Sequence, residues 1–236
     1  MFNLKNKRIL IVGGSSGIGE GIAIACAQEG ANVMIASRSQ DKLKAAAANI
    51  GHNVETRTID TRDDTSVETF FAREGQFDHV VMSAAQVVIK PVKDFTVAEA
   101  QASMNSKFWG SYRVARSAQI AESGSLTLIS GAAAVKATKG RALQTAINSA
   151  VEALTKGLAL EFAPVRVNTV SPGIIETAAW PQRNDDARRQ QLLQMISRNT
   201  IPRAGQPSEI ALQVMACMAN GFMTGSIIYV EGGYLL

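Results

Sequence analysis

Residues 8–25 read RILIVGGSSGIGEGIAIA, and this stretch decides the fold. A β-branched apolar run, 8–12, passes into a glycine-rich turn, and an amphipathic pattern then continues to Gly30 at helical spacing. Gly13, Gly17 and Gly19 form a GxxxGxG spacing, with Ser15, Ser16 and Ile18 between them. Glycines let a backbone turn tightly and approach a ligand. The start of the following helix offers free amide donors and the positive end of a dipole, the local chemistry of a pyrophosphate cradle.

Working outward, the same alternation repeats along the chain. Apolar runs at 32–37, 54–60, 79–85, 125–131, 165–171 and 226–232 join 8–14 as seven expected strands. Because they are apolar almost throughout, they suit a parallel sheet covered on both faces. Helices are expected at 17–29, over SQDKLKAAAANIG, from the capping box TVAE at 96–99 to about residue 121, and from Pro207. Strict alternation predicts an α/β fold: one doubly wound, Rossmann-like dinucleotide-binding domain over 1–236, with a seven-stranded parallel sheet and helices on both faces. Ligands then bind at the carboxyl ends of the strands. Segment 174–206 mixes Trp180, Leu192, Leu193 and Met195 with charges and follows a strand end, and is expected to form a mobile helical lid.

Composition narrows the function classes. The 236 residues are 46% hydrophobic and 19% charged, ordinary values for a globular chain. The net charge is +4 but the basic residues are scattered, which argues against a nucleic-acid partner. No apolar run is long enough to span a bilayer and no secretory signal opens the chain, so a cytoplasmic protein without a membrane partner is expected. Cys26 and Cys217 read as buried free thiols, and with only His52 and His79 as imidazoles no metal site is expected.

The second strand ends in Ser37-Arg38 where NAD-specific folds carry a carboxylate for the ribose. No acid repels a 2′-phosphate there and a guanidinium is available to grip it, so NADP(H) is the expected cofactor. Asp60, ending the third strand, is placed to accept from an adenine amino group, with Thr61 beside it and Ser83-Ala84 after the fourth strand.

With these residues in view, the whole chain resembles the short-chain dehydrogenase/reductase family. The blocks that carry the resemblance are RILIVGGSSGIG, FDHVVMSAA, MNSKFWG, GSLTLIS, LTKGLALEF, VRVNTVSPGIIET and TGSIIYVEGGYLL. It implies hydride transfer between a nicotinamide and a carbonyl or alcohol, assembly as a homotetramer or dimer, and contacts from Pro172, Gly173, Ile175 and Thr177 to the nicotinamide half of the cofactor. It also implies a Tyr-x-x-x-Lys pair on one helix, a serine after the fifth strand and an asparagine on the preceding helix.

The chain departs from that pattern. Ungapped alignment through VEALTKGLALEF puts the tyrosine position at Gln144 and the lysine position at Asn148. The serine position falls on Gly131, with Ser130 one residue earlier, while Asn105 is retained. Neither amide titrates in a useful range, so neither can serve as a general acid. Lys136, Lys139, Tyr112 and His79 read as solvated, solvated, packing and misplaced, respectively. The expected function is an oxidoreductase acting on a small, largely apolar carbonyl or enone with atypical proton transfer. The alternative is a catalytically inactive NADP(H)-binding sensor or assembly subunit. A scaffold that binds no nucleotide is disfavoured by the intact GGSSGIG.

Overall fold

In the computed structural model, residues 2–51, 54–177 and 186–236 are described, apart from the side chains of Ala187, Arg188 and Gln191. The apolar runs become strands β1 (Arg8–Val12), β2 (Asn32–Ser37), β3 (Val54–Thr58), β4 (Phe77–Met82), β5 (Ile120–Ile129), β6 (Arg166–Pro172) and β7 (Ile227–Val230). All pair in parallel, in the order β3-β2-β1-β4-β5-β6-β7. The direction of winding reverses between β1 and β4, which opens a crevice at their carboxyl ends.

Helices α1 (Gly17–Gln28), α2 (Gln40–Ile50), α3 (Asp64–Glu74), α4 (Val97–Met104), α5 (Gly110–Ser117), α6 (Ala142–Glu161), α7 (Asp186–Ile196) and α8 (Pro207–Ala219) fill the connections. One core joins α1 and α8 to the sheet through Ile9, Ile11, Ile22, Ile35, Ile210 and Val214. The core on the other face is built from Leu10, Met34, Phe71, Phe77, Leu126 and Val151. Two packed faces explain why the strands are apolar throughout. Both cysteines are buried free thiols, and burial pushes Cys26 up to about 12 and Cys217 up to about 11. Among the described residues no helix is long and apolar enough to cross a membrane.

The long helix expected from 96 to about 121 is different in detail. The Thr96/Glu99 capping box opens it as expected, but α4 stops at Met104 and a π-helical turn, Asn105–Trp109, precedes α5. The helix ends at Ser117, because Ala118 turns to extended backbone and β5 begins at Ile120. Within 174–206, α7 and a bridge from Ile175 to Gly205 are described, whereas Trp180 lies outside the described residues.

Candidate active site

A cleft of about 870 Å³ opens at the carboxyl ends of β1, β2 and β4. Its phosphate end is lined by Gly13, Ser15, Ser16, Gly17 and Ile18. Gly13 has φ +90°, and a Cβ there would lie 2.5 Å from the Ala84 nitrogen. A Cβ on Gly19 would lie 2.2 Å from the Gly13 carbonyl, so Gly19 supports the loop from below and does not line the cleft. Only glycine fits either place. Ser16 takes the N-cap position of α1 without capping it through its side chain, which leaves the first-turn amides facing the cleft.

The adenosine end collects cations. Arg38 is exposed and donates to Gln86 Oε1 at 3.1 Å. Arg62 grips Asp60 with Nε and Nη2 at 2.9 and 2.6 Å. That hydrogen-bonded pairing holds the Asp60 carboxyl below the usual carboxylate range. Lys42 lines the same wall, as does Thr61, and Ser37 leaves a buried hydroxyl with no partner. A buried orphan hydroxyl marks a place where a bound group belongs. The glycine cradle, uncapped amides, orphan Ser37 and three cations around one paired carboxylate together fit a phosphorylated dinucleotide.

The other end of the cleft is lined by Ser83, Ala84, Ser130, Thr177 and a residue that positional alignment does not mark, Lys107. Lys107 lies on the π-helical turn and is only 8% exposed. Its Nζ donates to the Ser130 carbonyl and to Asn148 Oδ1, both at 2.8 Å. Burial pushes this ammonium down to about 8, against the opposing pull of the Glu152 carboxylate. Glu152, one turn beyond Asn148 on α6, accepts from Ser171 on β6 and from Tyr229 on β7. Burial first, then the hydrogen bond to Glu152 and that carboxylate's charge, raise the Tyr229 phenol to about 12, so it stays protonated.

The remaining expected residues are placed as follows. Asn148 is 2% exposed, and its Nδ2 lies 3.4 Å from the Gly131 carbonyl. A Cβ on Gly131 would come 2.9 Å from that same Nδ2, so glycine at 131 and asparagine at 148 are fitted to each other. The Ser130 hydroxyl donates to the Asn148 main-chain carbonyl at 3.1 Å, which commits its proton to α6. Gln144 is half-buried and accepts from Arg141 at 3.1 Å, leaving its amide nitrogen to donate. Arg141 also reaches Met195 Sδ on α7 at 3.8 Å.

Asn105 is not brought to this group. Its Oδ1 accepts from Arg113 at 2.8 Å and its Nδ2 faces the Arg62 carbonyl at 3.4 Å. That places its side chain against a separate pocket of about 680 Å³, with Trp109 and Tyr112. Pro172, Gly173 and Ile175 do not line the cleft either. Gly173 passes tightly against Glu231, and Ile175 packs toward the core. His79 is buried against Ser125, and burial lowers it to about 4, so it is neutral and structural. Lys136 holds the carbonyls of Tyr234 and Leu236 instead of reaching the cleft.

Lys107 had a signal in the sequence. Ser103, Lys107, Ser111 and Val114 recur at i, i+4, i+8 and i+11 on the buried stripe of the helix. A lysine on such a stripe must find acceptors, and here it finds two.

The chain matches a family model described as enoyl-(acyl carrier protein) reductase over residues 12–235. It is 29% identical to the short-chain dehydrogenase/reductase fsr5 of Gibberella fujikuroi, covering 99% of this chain and 96% of that protein. It is 28% identical to a cyclopentanol dehydrogenase of Comamonas testosteroni, over 99% of each chain. Among solved structures, a small-chain dehydrogenase in complex with NADPH superposes with a TM-score of 0.82, at 31% identity, covering 98% of this chain and 99% of the other.

Proposed function

The chain belongs to the short-chain dehydrogenase/reductase family, and we propose that it is an NADP(H)-dependent oxidoreductase that reduces a small, largely apolar carbonyl or enone. The observation that carries the cofactor is the cationic adenosine wall. Arg38, Lys42 and Arg62 surround a single carboxylate, Asp60, which Arg62 already holds. A 2′-phosphate adds acceptors where cations are in excess, and the unpaired Ser37 hydroxyl donates beside it. The similar NADPH-bound dehydrogenase supports the same choice.

When bound, the reduced nicotinamide supplies a hydride. The chain supplies everything else. The glycine loop and the amides of α1 orient the pyrophosphate. Asp60 and Thr61 flank the adenosine. Thr177 and Ser83-Ala84 bound the reactive end. The lid expected over 174–206 falls in part, at 178–185, outside the described residues; among the described ones Arg141 links α6 to Met195 of α7. Gln144, whose Oε1 is held by Arg141, keeps an amide nitrogen that can donate a hydrogen bond to a carbonyl without protonating it.

A second reading, an inactive NADP(H)-binding sensor or assembly subunit, is favoured by the amides at 144 and 148 and by the committed Ser130 hydroxyl. Fluorescence titration with NADPH and NADH, followed by NADPH oxidation against ketones, aldehydes and enones, separates the two. Tighter NADPH binding with turnover supports the oxidoreductase. Tight binding with no turnover on any member supports the sensor.

A further inference from the structure

Two side chains that would move a proton are absent from α6, yet the same space holds an ammonium. It arrives from another element. The π-helical turn at Asn105–Trp109 directs Lys107 against the end of β5 and against α6, where it donates to the Ser130 carbonyl and Asn148 Oδ1. An ammonium has three donors, these contacts use two, and Lys107 lines the cleft.

Building on the oxidoreductase reading, we propose that Lys107 is the proton donor of this site, protonating the carbonyl oxygen as the substrate is reduced. A C–H bond of the reduced nicotinamide would break with its pair, leaving the cofactor oxidised; that pair forms a C–H bond at the carbonyl carbon, which is reduced, and the carbonyl π pair moves to oxygen. An N–H bond of Lys107 breaks to form the O–H bond. Its electron pair stays on nitrogen as a neutral amine, which solvent then reprotonates.

The surroundings suit this role. The carboxylate acting on Lys107 is Glu152 of α6, itself held by Ser171 of β6 and Tyr229 of β7; β5 contributes only a carbonyl. Tyr229 stays protonated and Asn148 is neutral, while burial brings Lys107 down to about 8. An acid titrating near about 8 sits close to the operating range in which acid catalysis works best. Gly131 and Asn148 keep the pocket open and polar without a second cation.

The test begins without cofactor. Nζ-selective ¹⁵N NMR of the free protein, assigned with Lys107→Met, is expected to show Lys107 titrating near about 8. A midpoint above ~10, with the surface lysines, overturns the assignment. Next, kcat for a substrate found in the panel is measured from pH 6 to 10 and is expected to fall as Lys107 deprotonates. A flat wild-type profile overturns it, whether or not any variant folds.

Lys107→Met is expected to lower kcat by roughly 100- to 10,000-fold with NADPH affinity and KM little changed. In Lys107→Ala, methylammonium is expected to restore part of kcat in proportion to its protonated fraction, which a merely structural lysine would not allow. A Lys107→Met enzyme with wild-type kcat and pH profile overturns the Lys107 role alone. A wild type that turns over nothing in the panel overturns the oxidoreductase reading, and this proposal falls with it.

Discussion

Asn148→Lys returns the family's lysine to α6, and the structure says that this alone should harm the protein. Lys107 Nζ already lies 2.8 Å from Asn148 Oδ1 and uses it as one of two acceptors. The substitution deletes that acceptor, and a charged-group hydrogen bond is worth roughly 1.5–3 kcal/mol. It also brings a second ammonium into the same buried space. Two unit charges about 4 Å apart at an effective dielectric near 20 repel by ~4 kcal/mol. The protein can evade most of this by deprotonating one amine. With Lys107 at about 8, doing so at pH 7 costs only ~1.4 kcal/mol. The net penalty is therefore on the order of 3–4 kcal/mol at pH 7, a fall in Tm of roughly 6–16 °C for a domain of this size. At pH 9, where one amine is already neutral, the penalty should shrink toward the lost hydrogen bond.

The relieving change is Lys107→Met in the same chain. The double variant Lys107→Met/Asn148→Lys should recover most of the lost stability, because it restores a single cation with the Ser130 carbonyl beside it. In that background, where Lys107 no longer donates a proton, Gln144→Tyr and Gly131→Ser should restore ketone reduction through the tyrosine. The serine Cβ needs the space now held by Asn148 Nδ2, 2.9 Å away, and the tyrosine needs one unopposed cation to lower its pKa. Thermal melts at pH 7 and 9 read the first half, and NADPH oxidation with a ketone panel reads the second. An Asn148→Lys variant as stable as wild type at pH 7, or a double variant no better than the single, would refute the picture of one buried cation shared between two helices.

Three further outcomes are expected. Arg38→Ala should weaken NADPH by roughly 10- to 100-fold, from the loss of a charge-assisted contact of about 1.5–3 kcal/mol, and leave NADH nearly unchanged; binding titrations with both cofactors check it. Lys107 should make stability depend on pH: its folded pKa of about 8 lies below the unfolded value near ~10.4, so the native state releases its proton first and the unfolded state binds more protons in that window. Wild type should therefore gain on the order of 3 kcal/mol relative to Lys107→Met between pH 8 and 10.5, with no relative change below pH 7, and denaturant melts showing equal slopes for both would contradict this. Finally, Trp109 and Tyr112, 45% and 41% exposed and in edge contact 5.6 Å apart, form one exposed apolar patch, and Leu236 is 91% exposed elsewhere; such apolar groups suit burial between copies. A homo-oligomer, dimer or tetramer, is expected from multi-angle light scattering, and a monomer at micromolar concentration would refute it.

The parts of this molecule that were legible in the sequence are those whose physics is local. Runs such as RILIV and NVMIAS must be covered on both sides, so a parallel sheet follows. Gly13 and Gly19 are required by contacts within a few residues or across one strand end. The long helix was legible at its capping box and misjudged at its far end, because no local signal announces a π-helical turn that spends an extra residue and redirects one side chain. The cofactor wall was half legible: Arg38 and Asp60 follow from strand-end positions, whereas Arg62, two residues past Asp60, and Lys42, in the first turn of α2, stand nearby in sequence without spacing that tells which way their side chains turn. The reactive centre was least legible. Matching residues position by position registers the neutral amides at 144 and 148 as a loss. It cannot register that a cation 41 residues upstream has its ammonium 2.8 Å from one of them. The fit between Gly131 and Asn148 makes the same point from the other side. Each residue taken singly reads as a missing catalytic group, and together they form the cavity that accepts Lys107. A site of this kind is specified by what meets in space, so the charge to look for was the lysine buried on the π-helical turn opposite, not the one missing from position 148 of α6.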